Sequence, residues 1–164
     1  MIELLAAALL TAAPASAPQA QAEPRGMRIG PYTVMRYTAD CVLLREYRMQ
    51  GQVYHLWIDS NGQSASLQVL SPQWRDTAGQ SFTHRLSLNG VVVAEQMQGV
   101  RGPERTGGFA VGTDAAALLE LLPDVTTIRI DDANGALLWG GSTAGLGEAI
   151  AGLRDCVAGL GREP

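Results

Sequence analysis

The chain contains no lysine. All twelve basic residues are arginines, set singly from Arg25 to Arg162 against sixteen acids, for a formal charge of −4. No basic stripe offers an electrostatic footprint for nucleic acid or for an anionic membrane surface. No apolar run approaches the ~20 residues that a membrane-spanning helix needs, the longest being residues 4–13. Cysteine is limited to Cys41 and Cys156, and histidine to His55 and His84. There is accordingly no Cys-x-x-Cys redox spacing, and no His/Asp/Glu spacing that would converge three or four ligands on zinc. The sequence calls for no metal and no cofactor. It excludes a nucleic-acid-binding protein, a helical membrane protein and a thioredoxin-type dithiol.

What is present begins with an address. The apolar run 4–13 is followed by small residues and by Ala20-Gln21-Ala22, the pattern of a secretory signal peptide cut after Ala22, with Ala17 as a second position. Met1-Ile2-Glu3 lacks the positive charge usual before such a run, which a misplaced start codon would explain. Pro14, Pro18 and Pro24 stop any helix soon after Ala13, against a buried N-terminal helix. No cysteine lies near the cut to take a lipid anchor. Residues 1–22 are thus expected to serve export, and residues 23–164 to form one periplasmic or secreted domain. An even pair of cysteines in an oxidising compartment predicts one structural disulfide, Cys41–Cys156. Closing so long a loop removes ~4–5 kcal/mol of unfolded-state entropy in the chain-entropy model.

Three Asn-Gly dipeptides, Asn61-Gly62, Asn89-Gly90 and Asn134-Gly135, lie between β-favouring runs and supply the positive φ angles of tight turns. They predict hairpins of 52–58 with 64–70, 82–88 with 91–97, and 125–130 with 136–139. Strands over 32–37 and 42–48 precede them. In the second hairpin Phe82, His84, Leu86 and Leu88 alternate with Ser81, Thr83, Arg85 and Ser87. Residues 99–108 combine Gly-Pro, Arg101, Glu104 and Arg105 without periodicity and read as a mobile surface loop before a short strand at 109–111. A helix is expected over 115–122, capped by Thr113, with Asp114 in its first turn and Pro123 as its stop. A second, capped by Ser142 or Thr143, carries the stripe Leu146, Ile150, Leu153, Val157 and Leu160, with Cys156 at its edge in reach of a strand-borne Cys41. The expected class is α+β and β-rich. It is an antiparallel sheet, or a partly closed barrel of hairpins, with two helices of the C-terminal half packed on it.

Residues that could carry chemistry have plainer roles beside the active ones. Gly140-Gly141-Ser142-Thr143-Ala144 lies between a strand and a helix, as a nucleophile elbow would. The last position is alanine, both histidines precede the serine, and no parallel core surrounds it, so a capped turn is expected there. His55 sits with Val53 and Trp57, and His84 with Phe82 and Leu86, on strand faces that read as apolar core. Asp59 and Asp131-Asp132 precede Asn-Gly turns and read as turn residues. Trp57, Trp74 and Trp139 are expected to pack, although Trp74, after Pro72, is also a candidate exposed contact, as are Arg101 and Arg105.

Phe109-Ala110-Val111-Gly112 leads into Ala115-Ala116-Ala117-Leu118, a strand pair, and then Gly141-Ser142-Thr143-Ala144-Gly145-Leu146 with Ala149, Leu153 and Cys156. This outline, over residues 32–157, resembles small exported bacterial domains of the invasion-associated locus B type. The chain departs from them in having no second cysteine pair in its C-terminal half. The resemblance implies a periplasmic or secreted non-enzymatic protein and transfers no catalytic residue. The expected function is a binding module that contacts another protein or a cell-envelope component through its strand faces and the 99–108 loop. The alternatives are a small extracytoplasmic hydrolase using His55 or His84 with a carboxylate, and a structural envelope protein with a self-association surface.

Overall fold

The structure, a computed structural model, describes residues 25–161, so the expected leader at 1–22 lies outside the described residues. The first ten strands are β1 (Arg25–Ile29), β2 (Tyr32–Arg36), β3 (Cys41–Met49), β4 (Gln52–Ser60), β5 (Ser64–Ser71), β6 (Ser81–Phe82), β7 (Arg85–Leu88), β8 (Val91–Ala94), β9 (Met97–Arg101) and β10 (Gly107–Asp114). Helix α1 (Ala115–Leu121), strands β11 (Thr127–Asp131) and β12 (Leu137–Ser142), and helix α2 (Leu146–Ala158) complete the order. The strands form two antiparallel sheets, a large one ordered β1-β2-β3-β4-β5-β10-β9-β6 and a small one ordered β12-β11-β7-β8. The protein is α+β and β-rich. The barrel alternative is corrected, because β1 and β6 end the large sheet without pairing to each other.

Turn chemistry explains the hairpins. Asn89 and Gly90 take φ of 50° and 80° between the paired Leu88 and Val91, the geometry of a two-residue hairpin turn. Gln50-Gly51 makes the same kind of turn between β3 and β4, with φ of 50° and 77°. At the other two Asn-Gly sites the loops are longer and are tied by side chains. Asn61 Oδ1 accepts from the amides of Gln63 and Ser64, and Asp132 Oδ1 from those of Asn134 and Ala136.

One face of the large sheet builds the core. Tyr32, Val34, Leu43, Tyr54, Leu56, Ile58, Leu67, Val69 and Phe109 pack there with Leu118 and Leu119 of α1 and Leu146, Ile150 and Leu153 of α2. Leu86, Leu88, Ile128, Ile130 and Trp139 of the small sheet close the same cluster. Of the stripe read on α2, Leu146, Ile150 and Leu153 are buried, while Val157 and Leu160 pack half-buried on the core. The disulfide joins Cys41 at the start of β3 to Cys156 near the end of α2, with a Cα separation of 6.1 Å. Arg36 Nη2 donates to Gly159 O at 2.8 Å, placing a cation on the helix C-terminus, where the macrodipole favours it.

Several expectations are corrected. The second hairpin is not one flat ribbon: it breaks at Thr83-His84 and again at Glu95-Gln96. Its β7 and β8 belong to the small sheet, and its β6 and β9 to the large one. The span 99–108 is a loop over only half its length, since β9 takes 99–101, β10 takes 107–108, and 102–106 turn between them. Its glycines serve close approach. A Cβ on Gly99 would lie 1.9 Å from Thr77 O, and one on Gly107 would lie 2.1 Å from Trp74 O, because the segment 72–80 crosses directly over them. The cap of α1 is Asp114, whose carboxylate accepts from Ala117 N at 3.2 Å, while Thr113 belongs to β10. The residue before α2 is Gly145 at φ 82°. Ser142 ends β12, and the buried Thr143 hydroxyl donates to Val125 O rather than capping the helix.

Candidate functional site

The large sheet has a second face. Alternation along β4 puts Tyr54, Leu56, Ile58 and Ser60 into the core and turns Val53, His55, Trp57 and Asp59 the other way. Antiparallel register then lines up three rows across β3, β4 and β5. They are Glu46, His55 and Leu70; Leu44, Trp57 and Gln68; and Val42, Asp59 and Ser66. Val42 and Leu70 are buried without belonging to the main core, which marks this as a separate surface. Leu44, Trp57, His55, Asp59, Ser66 and Gln68 are half-buried, each leaving part of its surface to solvent. The expectation that His55 lies on the core side is corrected. Both alternating sets of β4 contain large apolar residues, so the strand's own pattern does not choose between them.

The polar side chains of this face are held in place. Asp59 Oδ1 accepts from the Ser66 hydroxyl and from Gln68 Nε2, the latter at 2.8 Å. Ser66 Oγ and Gln68 Nε2 are themselves 2.9 Å apart. Asp59 Oδ2 has no partner among the described residues. Asp59 is thus a preorganised acceptor beside the Trp57 ring, rather than the turn residue expected. In the next row Arg48 Nε bonds Glu46 Oε1 at 2.8 Å, and His55 Nε2 stands 3.9 Å from Glu46 Oε2, beyond hydrogen-bond reach. The face therefore presents an indole flanked by two carboxylates, an amide and an imidazole.

The other sequence candidates are dispersed. The Trp74 ring packs half-buried on Tyr54 and Phe109, with centroids 5.4 and 4.9 Å away, while Arg101 and Arg105 stand exposed at the 102–106 turn. His84 sits at the corner between the sheets, stacked on Phe82 and edge-on to Phe109, with a buried Nδ1 that has no partner among the described residues. Among the described residues neither histidine reaches a carboxylate or a nucleophile within hydrogen-bond distance. Asp131 pairs with Arg129 at 2.6 Å, and the hydrogen bond from that guanidinium holds its carboxyl below the usual range. Among the described residues no group of three or more His, Cys, Asp or Glu side chains gathers to hold a metal, and no helix is long and apolar enough to cross a membrane.

Sequence reading missed a knot of arginine and tyrosines on the core side. Arg45 lies 5.2 Å from the centroid of Tyr32 and 4.5 Å from that of Tyr47, and its Nη1 donates to Tyr32 Oη and Ala144 O. Tyr47 meets Trp139 edge-on at 5.3 Å and donates its hydroxyl to Ser142 O at 2.9 Å. Burial, the largest cause, pushes the Tyr47 phenol above its ordinary value. Only the alternation of polar and apolar residues in β3 hinted at it, and that pattern reads equally as a wet edge. The surface also carries two depressions away from the Trp57 face. One of about 430 Å³ lies between the helices, lined by Ala115, Leu119, Glu120, Arg154 and Val157, where Arg154 Nη2 already donates to Leu119 O. The other, about 350 Å³, lies among Thr83, Arg85, Glu95, Gln96 and Ala133.

Comparison of the chain with protein-family models, with curated proteins and with solved structures yields no match.

Proposed function

We propose that the protein is a periplasmic or secreted non-enzymatic binding protein, and that it binds through the second face of its large sheet around Trp57. The observation that carries the reading is the preorganised row of Trp57, Gln68, Asp59 and Ser66 on a face separate from the core. A half-open aromatic side chain beside fixed polar groups is the composition of a recognition surface. A hydrolase would instead need a nucleophile or activated water within reach of a base, and among the described residues neither histidine has such a partner. The disulfide and the leader pattern at 1–22 support an extracytoplasmic setting.

Two measurements test this. The intact mass of protein from the exported fraction of its host, with thiols alkylated before and after reduction, should lack residues 1–22 and show both cysteines protected until reduction. Full-length cytoplasmic protein with two reactive thiols would overturn the export half. Cosedimentation with the host's envelope fraction should be lost in the Trp57→Ala, Gln68→Ala double variant and kept in the His84→Ala variant, whose site lies off this face. The reverse pattern, with both variants folded by circular dichroism, would move the function to His84.

A further inference from the structure

We infer that the ligand of the Trp57 face is a neutral, hydroxyl-rich polymer, a glycan chain rather than an anion or a peptide. The inference rests on the proposal that this face is the binding surface. Charge is the first argument. Around Trp57 stand Asp59 and Glu46, and the adjacent cation, Arg48, is engaged by Glu46 at 2.8 Å. Phosphate, sulfate and uronate groups would meet two carboxylates, and Arg28, the guanidinium in the same row as Trp57, stands three strands away on β1, so anionic ligands are disfavoured.

The hydrogen-bonding inventory is the second. Gln68 directs its amide nitrogen to Asp59 and Ser66, which leaves its carbonyl oxygen as an acceptor. Asp59 Oδ2 is another acceptor, His55 offers imidazole nitrogens, and the indole between them offers an apolar plane. Hydroxyl groups donate to such acceptors, while the C–H side of a pyranose ring lies against an aromatic face. Asp59 and Gln68 are fixed before any ligand arrives, so little ordering entropy is lost on binding.

Shape is the third. The three rows span β3 to β5, two inter-strand spacings or roughly 10 Å, on a sheet face rather than in a cavity. An extended chain of rings can lie along such a face. A peptide that binds sheets by strand addition needs an open edge, but β3, β4 and β5 are interior strands whose backbone groups are already paired.

The test uses the oxidised chain and its tryptophan fluorescence, titrated separately with cellohexaose, xylohexaose, mannohexaose and chitohexaose, with hexagalacturonate as an anionic probe and hexalysine as a cationic peptide. A saturable change with at least one neutral hexamer is expected, and none with hexagalacturonate. Trp57→Ala and Gln68→Ala should each weaken that binding by about tenfold or more. Trp57→Phe, which keeps an aromatic plane and guards against loss of fold, should retain part of it. No response to any neutral hexamer, or a response unchanged in both alanine variants, overturns the inference. A response to hexalysine alone overturns it in favour of a cationic peptide. If envelope retention still depends on Trp57 while no glycan binds, the ligand class fails and the binding surface stands; if retention is also independent of Trp57, the surface itself fails.

Discussion

Tyr47 shows how much one side chain can do at the junction of the sheets. Its ring edge meets Trp139, its hydroxyl reaches Ser142 O, and Arg45 lies over its face. Its phenol is shifted upward first by burial and then by Tyr32, with Arg45 pulling the other way. A group whose folded value lies above its unfolded one contributes stability that is complete below the unfolded value, near 10 for tyrosine, and is lost as pH rises toward the folded one. Stability measured by urea titration should therefore fall between about pH 10 and 11.5, where the unfolded chain releases a proton that the folded chain keeps. Tyr47→Phe should cost about 1 kcal/mol at pH 7 through the lost hydrogen bond and should flatten the alkaline fall. Equal alkaline slopes in the two proteins would show that Tyr47 is not the group responsible.

Among the elements, the β9–β10 hairpin depends on glycines that local reasoning assigns to a loop. Gly107→Ala would drive its Cβ into Trp74 O, a backbone atom fixed by the crossing segment, which Thr77 pins by accepting from Gly108 N at 3.0 Å. A loss on the order of 3 kcal/mol is expected in chemical denaturation. Gly112→Ala in the same strand has nothing closer than 3.9 Å and should be neutral or slightly stabilising. Similar losses in both would mean that strand propensity, rather than the crossing, sets the requirement. The same contrast explains what the sequence made legible. Asn89-Gly90 fixes a turn by itself, and the stripe of α2 fixes a buried helix face by itself, so both could be read locally. Gly99 and Gly107 answer to a segment some twenty to thirty residues earlier, and a non-local contact leaves no periodic trace. The corner at His84 was hidden because Phe82, His84, Leu86 and Leu88 keep perfect alternation while their strand passes from one sheet to the other. Of the candidate site, Trp57 and Asp59 were visible as residues. Their common outward face was not, because the two alternating sets of β4 are nearly equal in apolar character.

For the whole molecule the question is whether two sheets make one folding unit. They share a hairpin, with β6 and β9 in one sheet and β7 and β8 in the other. They also share the Arg45 and Tyr47 contacts to the turn before α2, and one continuous core. None of these links can open without exposing apolar surface on both sides, so the sheets should unfold together. A Trp57→Phe, Trp74→Phe variant leaves Trp139, buried in the small sheet, as the sole tryptophan, and its emission should follow the same urea transition as far-UV circular dichroism. Reduction should lower the midpoint, since opening a loop with a sequence separation of 115 returns about 5 kcal/mol of unfolded-state entropy in the chain-entropy model. The two probes should still coincide after reduction, because the disulfide ties α2 to β3 and not one sheet to the other. Separation of the probes in the oxidised protein would make the small sheet an independent unit; separation only after reduction would give the disulfide the coupling role assigned here to the shared hairpin and core.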